Sequence, residues 1–347
     1  MACLVAPSAP EAAAGIKAAW AQVARRHRLR PCEALPWVLA LGACFVFPDY
    51  LFLGTQVLIL IMFALSLDLI LGYAGIITLG HAAYFGLGAY VAGMLSAHAG
   101  WHEPLSGLVL AGLVAAAFGW LSGLLLLRYH GLALLMLTLA LGIMMMELAN
   151  VLEAWTGGFD GLYGITPAPL LGRFENDLYG RNYYVYSLVV LFLVFVLCRR
   201  LVHSPFGLVL QGVRDNERRM RAIGCDVLRV KVTVFTIAAG IAGLAGGLFA
   251  QANAFVSLDA LSFMRSGTVL IVLILGGAGR LYGAFVGATS YYLLEDQLAK
   301  ISPEFWQFGV GLVLVLAVLF GRGGLLGLLD AAAARWRRPL RPTSRSP

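Results

Sequence analysis

In a chain of 347 residues, 60% are hydrophobic and only 12% are charged, whereas soluble globular domains carry about 25% charged residues. That balance excludes an ordinary water-soluble fold and makes the bilayer the relevant solvent. The formal net charge of +7 is tied to the ends of apolar runs, so it reads as membrane topology and contact with anionic lipid, and argues against nucleic-acid binding.

In chain order, residues 1–36 come first. Ile16, Trp20 and Val23 fall on one helical face ahead of Arg25-Arg26-His27-Arg28. The pattern fits an interfacial amphipathic helix and, equally, a disordered basic tail. Arg25-Arg26 and Leu41-Gly42-Ala43-Cys44 faintly resemble export and lipoprotein signals. The apolar run lies far from the start, however, and no cleavage is expected.

A span needs about 20 mostly apolar residues. Ten candidates follow: 37–53, 55–72, 76–97, 105–127, 131–152, 183–198, 232–254, 262–278, 281–294 and 305–321. The runs 105–127, 232–254 and 305–321 contain no Asp, Glu, Lys or Arg. The runs 37–53, 262–278 and 281–294 are short or flanked by glycine and are open to a re-entrant reading. With ten passes, 21 of the 25 Lys and Arg fall on one side: five in 1–36, eight in 199–231, six from residue 322 onward, plus Arg128 and Arg280. The other side keeps Arg173, Arg181, Arg265 and Lys300. The expected fold is therefore an all-α, multi-pass membrane protein with both termini and 199–231 in the cytoplasm. Its expected organisation is a basic N-terminal segment 1–36, a transmembrane domain 37–330 and a basic tail 331–347.

Two glycine turns carry further information. Residues 69–75 read LILGYAG and residues 273–279 read LILGGAG, which is either an internal repeat or a coincidence of abundant residues. Gly72, Gly75, Gly276 and Gly277 lie in these turns, and Gly80, Gly86, Gly88 and Gly93 follow the first. Glycines so placed allow close backbone approach or broken helices, which transporters use at their pathways. Polar residues inside the runs are few: Asp68, Thr78, His81, Glu147 and Asn150. An Asp at the centre of a span costs about 2.5–3.5 kcal/mol, so each is a candidate for the translocation pathway. The plainer alternatives are a capping role for Asp68, a hydrogen-bonded interior for His81 and snorkelling for Glu147. Loop 153–182, with Thr156-Gly157-Gly158-Phe159-Asp160-Gly161, is the long loop on the outer side, placed to receive a partner or to cover the pathway.

Residues 199–231 form a basic segment between two charge-free runs. Ser204-Pro205 predicts a helix start and Gly224 its end, with Val209, Val213, Met220 and Ile223 as a partial apolar stripe. A short amphipathic helix held at the membrane surface is a docking part. No Walker loop is present, and none of the three lysines follows a glycine, so the chain should not hydrolyse ATP. HExxH, GxSxG and TVGYG are absent too. The five cysteines (Cys3, Cys32, Cys44, Cys198, Cys225) lack paired spacing, which points to neither a disulfide nor a metal site. An enzyme is not expected. A channel, an ion-coupled carrier using Asp68 or Glu147, and the membrane half of a machine powered elsewhere remain, and the docking helix favours the last.

Four stretches are similar to one known family. They are LSLDLILGYAGIITLGHAAYFGLGAY (65–90), TGGFDGLYGI (156–165), SPFGLVLQGVRDNERRMRAIGCDVLRVKVTVFTIAAGIAGLAGGLFA (204–250), and LILGGAGRLYGAFVGA (273–288) with LFGRGGLLGL (319–328). Over roughly 37–330 the chain resembles the LivM-type permease subunit of branched-chain amino-acid ABC transporters. The resemblance implies a bacterial inner-membrane importer for branched-chain amino acids. It also implies a second permease, two ATP-binding subunits, a periplasmic binding protein, and no cofactor here because ATP is bound by the partner subunits. The family also includes permeases for urea, short amides and other small solutes. By the same resemblance Arg214, Asp215, Asn216, Glu217, Ala222 and Gly224, with Ile223 between the last two, fall on the segment coupled to the ATPase.

Overall fold

The computed structural model describes residues 35–46, 50–101, 103–165, 181–301, 307–309, 311–312, 315 and 324–327. The N-terminal segment, residues 166–180 of the outer loop, most of the run 305–321 and the basic tail lie outside the described residues. So do Cys3, Cys32 and Arg173.

Runs that are apolar all round have one local way to pair every backbone group in lipid, the helix. The described elements are accordingly helical: α1 (Leu35–Val46), α2 (Leu51–Asp68), α3 (Ala82–Ala97), α4 (Pro104–Leu126), α5 (Leu132–Val151), α6 (Arg181–His203), α7 (Pro205–Asp215), α8 (Glu217–Ala222), α9 (Val227–Asn253), α10 (Phe263–Gly276) and α11 (Leu281–Ile301). Short turns of helix lie at 153–160 and 258–261, and one isolated β-bridge joins Leu162 to Val256. Helix α2 continues through a π-helical turn, Leu69–Tyr73.

Five helices (α2 with its π turn, α4, α5, α6 and α9) are long and apolar enough to cross a membrane, and the pair α10–α11, bent by 113°, makes a sixth if it is one span. Ten runs therefore become five or six spans by length among the described residues. The run 305–321 lies mostly outside the described residues, and other runs fall short by helix length. Helix α1 has 12 residues, α3 has 16 and α10 has 14, and at 1.5 Å per residue even the longest reaches about 24 Å of a core about 30 Å thick. Run 76–97 starts its helix only at Ala82, because 76–81 is irregular. Its backbone is held from outside, by Leu79 N–H donating to Thr138 Oγ1 at 3.3 Å and Ala82 N–H donating to Ser266 Oγ at 2.9 Å. Run 37–53 is split between the end of α1 at Val46 and the start of α2 at Leu51, with Pro48 in the gap.

Helices α2 and α9 form the centre. Their most apolar windows are 78% and 67% buried, against 39% for α4 and 28% for α5. Helix α9 packs along α4, α3 and α2, and small residues let it approach: a Cβ at Gly243 would run into Ala115 on α4, and one at Gly88 on α3 would run into Gly243. Such small-residue seams are how apolar helices gain van der Waals contact in lipid. Conversely, Leu113, Leu121 and Leu125 on α4 and Leu132, Met136 and Val151 on α5 lie exposed, an apolar surface suited to lipid or another subunit rather than water.

Candidate functional site

The end of the bundle bearing the basic segment concentrates the polar contacts. Ser204 caps α7, its Oγ accepting from Gly207 N–H, and Pro205 occupies the first turn. The single helix expected from Pro205 to Gly224 is two helices. Asn216 takes an extended conformation (φ −159°, ψ 95°) and its side chain accepts from Arg219 N–H at 3.0 Å, so it ends α7 and caps α8. Asparagine does this readily because its amide oxygen competes for backbone donors. Gly224, at φ +88°, closes α8. The buried stripe is Gly207, Leu210 and Val213. Val209 and Met220 are half-buried, and Ile223, expected to complete the stripe, is 76% exposed.

Helix α7 carries Arg214 inward. Its Nη1 donates to the Gly72 carbonyl oxygen at 2.5 Å, an acceptor at the end of the π turn where helical partners run out. Its stem lies over Gly75, where a Cβ would stand 2.7 Å from Arg214 Cγ. Beside the same carbonyl is Gly279 from the second glycine turn. Gly279 N–H donates to Asp68 Oδ1 at 2.7 Å, and the Asp68 side chain is fully buried. A Cβ at Gly72 would collide with both the Asp68 carboxylate and the Gly279 backbone. Two turns separated by about 200 residues, and the basic segment, thus meet at one point.

A second knot forms at Glu217 on α8. Lys231 Nζ, at the start of α9, donates to its Oε2 at 2.8 Å, Arg221 donates to Oε1 at 2.5 Å, and His130 Nε2 from the α4–α5 loop lies 3.2 Å from Oε1. Partial burial alone would raise the Glu217 carboxyl. The hydrogen bonds from Lys231, His130 and Arg221 and the Lys231 charge outweigh it and bring the pKa from its ordinary 4.5 to about 2. By contrast, Asp215, Asn216, Ala222, Ile223 and Gly224 face outward.

The nine pathway candidates separate into groups. Asp68, Gly72, Gly75, Gly276 and Gly277 belong to this junction, which is tightly packed: a Cβ at Gly276 would collide with the Gly283 backbone. Thr78 and His81 are buried in the connection after it. His81 Nε2 lies 2.8 Å from Ser66 Oγ, which donates to the Phe63 carbonyl, and the ring stacks on Phe63 at 5.4 Å, while its Nδ1 is buried without a hydrogen-bond partner among the described residues. Glu147 and Asn150 are elsewhere, near the far end of α5. With Ser257, Asp259 and Ser262 they line a cavity of about 300 Å³. Asp259 is ion-paired to Arg265 at 3.1 Å, and the Arg265 guanidinium lies 5.1 Å from the centroid of the Phe249 ring. Sequence reasoning missed His130, Lys231, Asp259 and Arg265. Each is singled out only by a partner that the fold brings to it.

A family model described as branched-chain amino acid transport system / permease component matches residues 50–318, slightly less at both ends than the 37–330 expected. The chain is 31% identical over 300 residues to the high-affinity branched-chain amino acid transport system permease protein LivM of Salmonella typhimurium, covering 79% of this chain and 69% of that protein. It matches LivM of Escherichia coli K12 to the same extent. Identity to a probable branched-chain amino acid transport permease protein LivM of Methanocaldococcus jannaschii is 26% over 274 residues, covering 67% and 76%. No solved structure matches the chain. The chain belongs to the permease-component family of branched-chain amino acid transport systems, and so is a non-enzymatic membrane subunit of an ABC importer.

Proposed function

We propose that this chain forms the pathway for branched-chain amino acids across a bacterial inner membrane. It crosses in about ten passes over residues 37–330, with the segment 1–36, the tail 331–347 and 199–231 in the cytoplasm. A second permease completes the pathway, two ATP-binding subunits dock beneath, and a periplasmic binding protein delivers the solute. No cofactor is bound by this chain, because ATP stays on the partners.

The observation that carries the reading is the outward row Asp215, Asn216, Ala222, Ile223 and Gly224 on a segment whose other side is fixed to the bundle. An isoleucine 76% exposed among Arg218, Arg219 and Arg221 fits a pocket on a soluble partner whose rim takes the charges. ATP-driven movement of that partner reaches α9 through Lys231 and Glu217. Asp68, Gly72, Gly75, Thr78, His81, Gly276 and Gly277 are then the parts that shift on the inner side. Glu147 and Asn150 face solute on the outer side, a position that agrees with the cost of a carboxylate at membrane depth.

The test is uptake by the whole importer in proteoliposomes. Leucine, isoleucine and valine uptake should require ATP and both ATP-binding subunits, and Ile223→Asp should abolish ATPase co-purification. Urea or acetamide uptake in place of leucine would keep the architecture and replace the solute. Accumulation by the chain alone under a proton gradient would replace the mechanism with an ion-coupled one.

A further inference from the structure

We propose that Arg214 is a latch: it ties the partner-facing helix α7 to both glycine turns at once, so that α7 and the two turns move as one body during the transport cycle. This deepens the proposed function and rests on it.

Three observations carry the inference. First, the Arg214 side chain is 43% exposed yet reaches back into the bundle. Its guanidinium crosses to the Gly72 carbonyl, a backbone acceptor 142 residues away in sequence. Second, the room for that crossing comes from glycines. Gly75 leaves the space its stem occupies, and a Cβ at Gly279 would stand 3.5 Å from Nη1 and 3.2 Å from the Gly72 carbonyl oxygen. Third, the two turns are already tied to each other by the Gly279 N–H bond to Asp68. One side chain on α7 therefore holds a pair of turns that ends α2 on one side and joins α10 to α11 on the other. The neighbouring Asp215 carboxylate, 3.6 Å from Arg214 Nε and 73% exposed, completes a path from the outward row into the bundle.

Geometry also says why arginine serves. A planar guanidinium with five donors in a fixed fork can hold Gly72 with one nitrogen while another faces Asp215, whereas an ammonium presents its three donors from a single point on a flexible stem. A displacement of α7 by the partner cannot then leave the turns behind. Without the latch α7 swings on its own, and the partner's work is lost.

The experiment uses the complete importer in proteoliposomes with its binding protein. Arg214→Lys and Arg214→Ala should leave ATPase co-purification and hydrolysis near wild type while lowering leucine taken up per ATP by about tenfold, the scale of a typical coupling free energy. Spin labels on Leu208→Cys, an exposed position of α7 outside the docking row, and Ile77→Cys, in a background lacking the native cysteines, should keep one separation with and without ATP when Arg214 is present, and drift apart on ATP binding when it is lysine. Unchanged uptake per ATP overturns the latch. So does a label separation that behaves the same in both backgrounds, or a loss of hydrolysis and assembly in step with uptake, which would make Arg214 a structural cap. Failure of the proposed function itself reads differently: the unsubstituted importer would then take up leucine without ATP.

Discussion

The two glycine turns share six of seven letters, yet they end their helices differently. In LILGYAG the chain keeps helical backbone through Tyr73 in a π turn and enters the left-handed region only at Gly75, φ +69°. In LILGGAG the helix stops at Gly276, Gly277 leaves at φ +105° and Gly279 again sits left-handed at φ +78°. The last glycine does the same job in both. The difference is set at Tyr73 against Gly277: a side chain buried to 7% exposure keeps the first helix going, and its absence lets the second reverse by 113° into α11. A sequence repeat here makes two unlike parts of one joint.

The sharpest way to break that contrast is Gly277→Ala. A residue with a Cβ at φ +105°, ψ 104° is outside every region open to L-residues, so the substitution should destabilise by about 2–3 kcal/mol, read as a lowered Tm in detergent. Tyr73→Phe, which keeps the buried ring and imposes no forbidden conformation, should cost less. Equal effects would show that Gly277 is not where the two turns part.

Next is the tie between the turns. Asp68→Ala removes the acceptor for the Gly279 N–H and leaves that donor buried, which costs about 1–3 kcal/mol. Asp68→Asn keeps an amide oxygen where Oδ1 stands and should be the milder change. If both variants melt alike, the carboxylate's charge matters and the hydrogen bond does not.

How far such parts could be read from sequence depends on range. Ser204, Pro205 and Gly224 announced their roles because caps act within one turn of chain. The break at Asn216 was missed although it too is local, because the polar residues around it suit one helix or two. The bond from Arg214 to Gly72 was not legible, because nothing in the letters pairs the two. The same holds for Glu217 with Lys231 and His130, and for Asp259 with Arg265. Helix length was hidden for a different reason. Hydropathy marks apolar runs, whereas α3 and α10 are shorter than a bilayer because glycine and serine let their ends be held by other helices. His81 was a candidate by its polarity alone, and the letters do not tell that a hydroxyl and an aromatic ring stand at its sides.

A smaller perturbation tests the first turn alone. Gly75→Ala must hold φ near +69°, at about 1–2 kcal/mol, and its methyl displaces the Arg214 stem. Stability should fall modestly while leucine uptake falls out of proportion to it, measured as uptake per folded complex. Gly279→Ala shares the backbone penalty but meets Arg214 only at 3.5 Å, so it should weaken uptake less. Equal uptake losses would mean that backbone strain, and not the crowding of Arg214, is what the first turn feels.

The smallest expected effect concerns the second knot, which holds the basic segment by charge where the turns hold it by backbone. Glu217 is lowered from 4.5 to about 2 in the folded chain, so its contribution is fully present above its unfolded value and is lost as pH falls through the folded one. Between pH 7 and about 5 the α8–α9 contact should not weaken on this account, and protection of amides 216–231 from hydrogen exchange should begin to fall only below about pH 4.5. Glu217→Gln, which keeps the shape and removes the charge, should erase that acid-side loss and lower protection at neutral pH by about 1 kcal/mol, the lower end for a partly exposed network. A protein whose amides in 216–231 open between pH 7 and 5 would show that Glu217 does not control the contact.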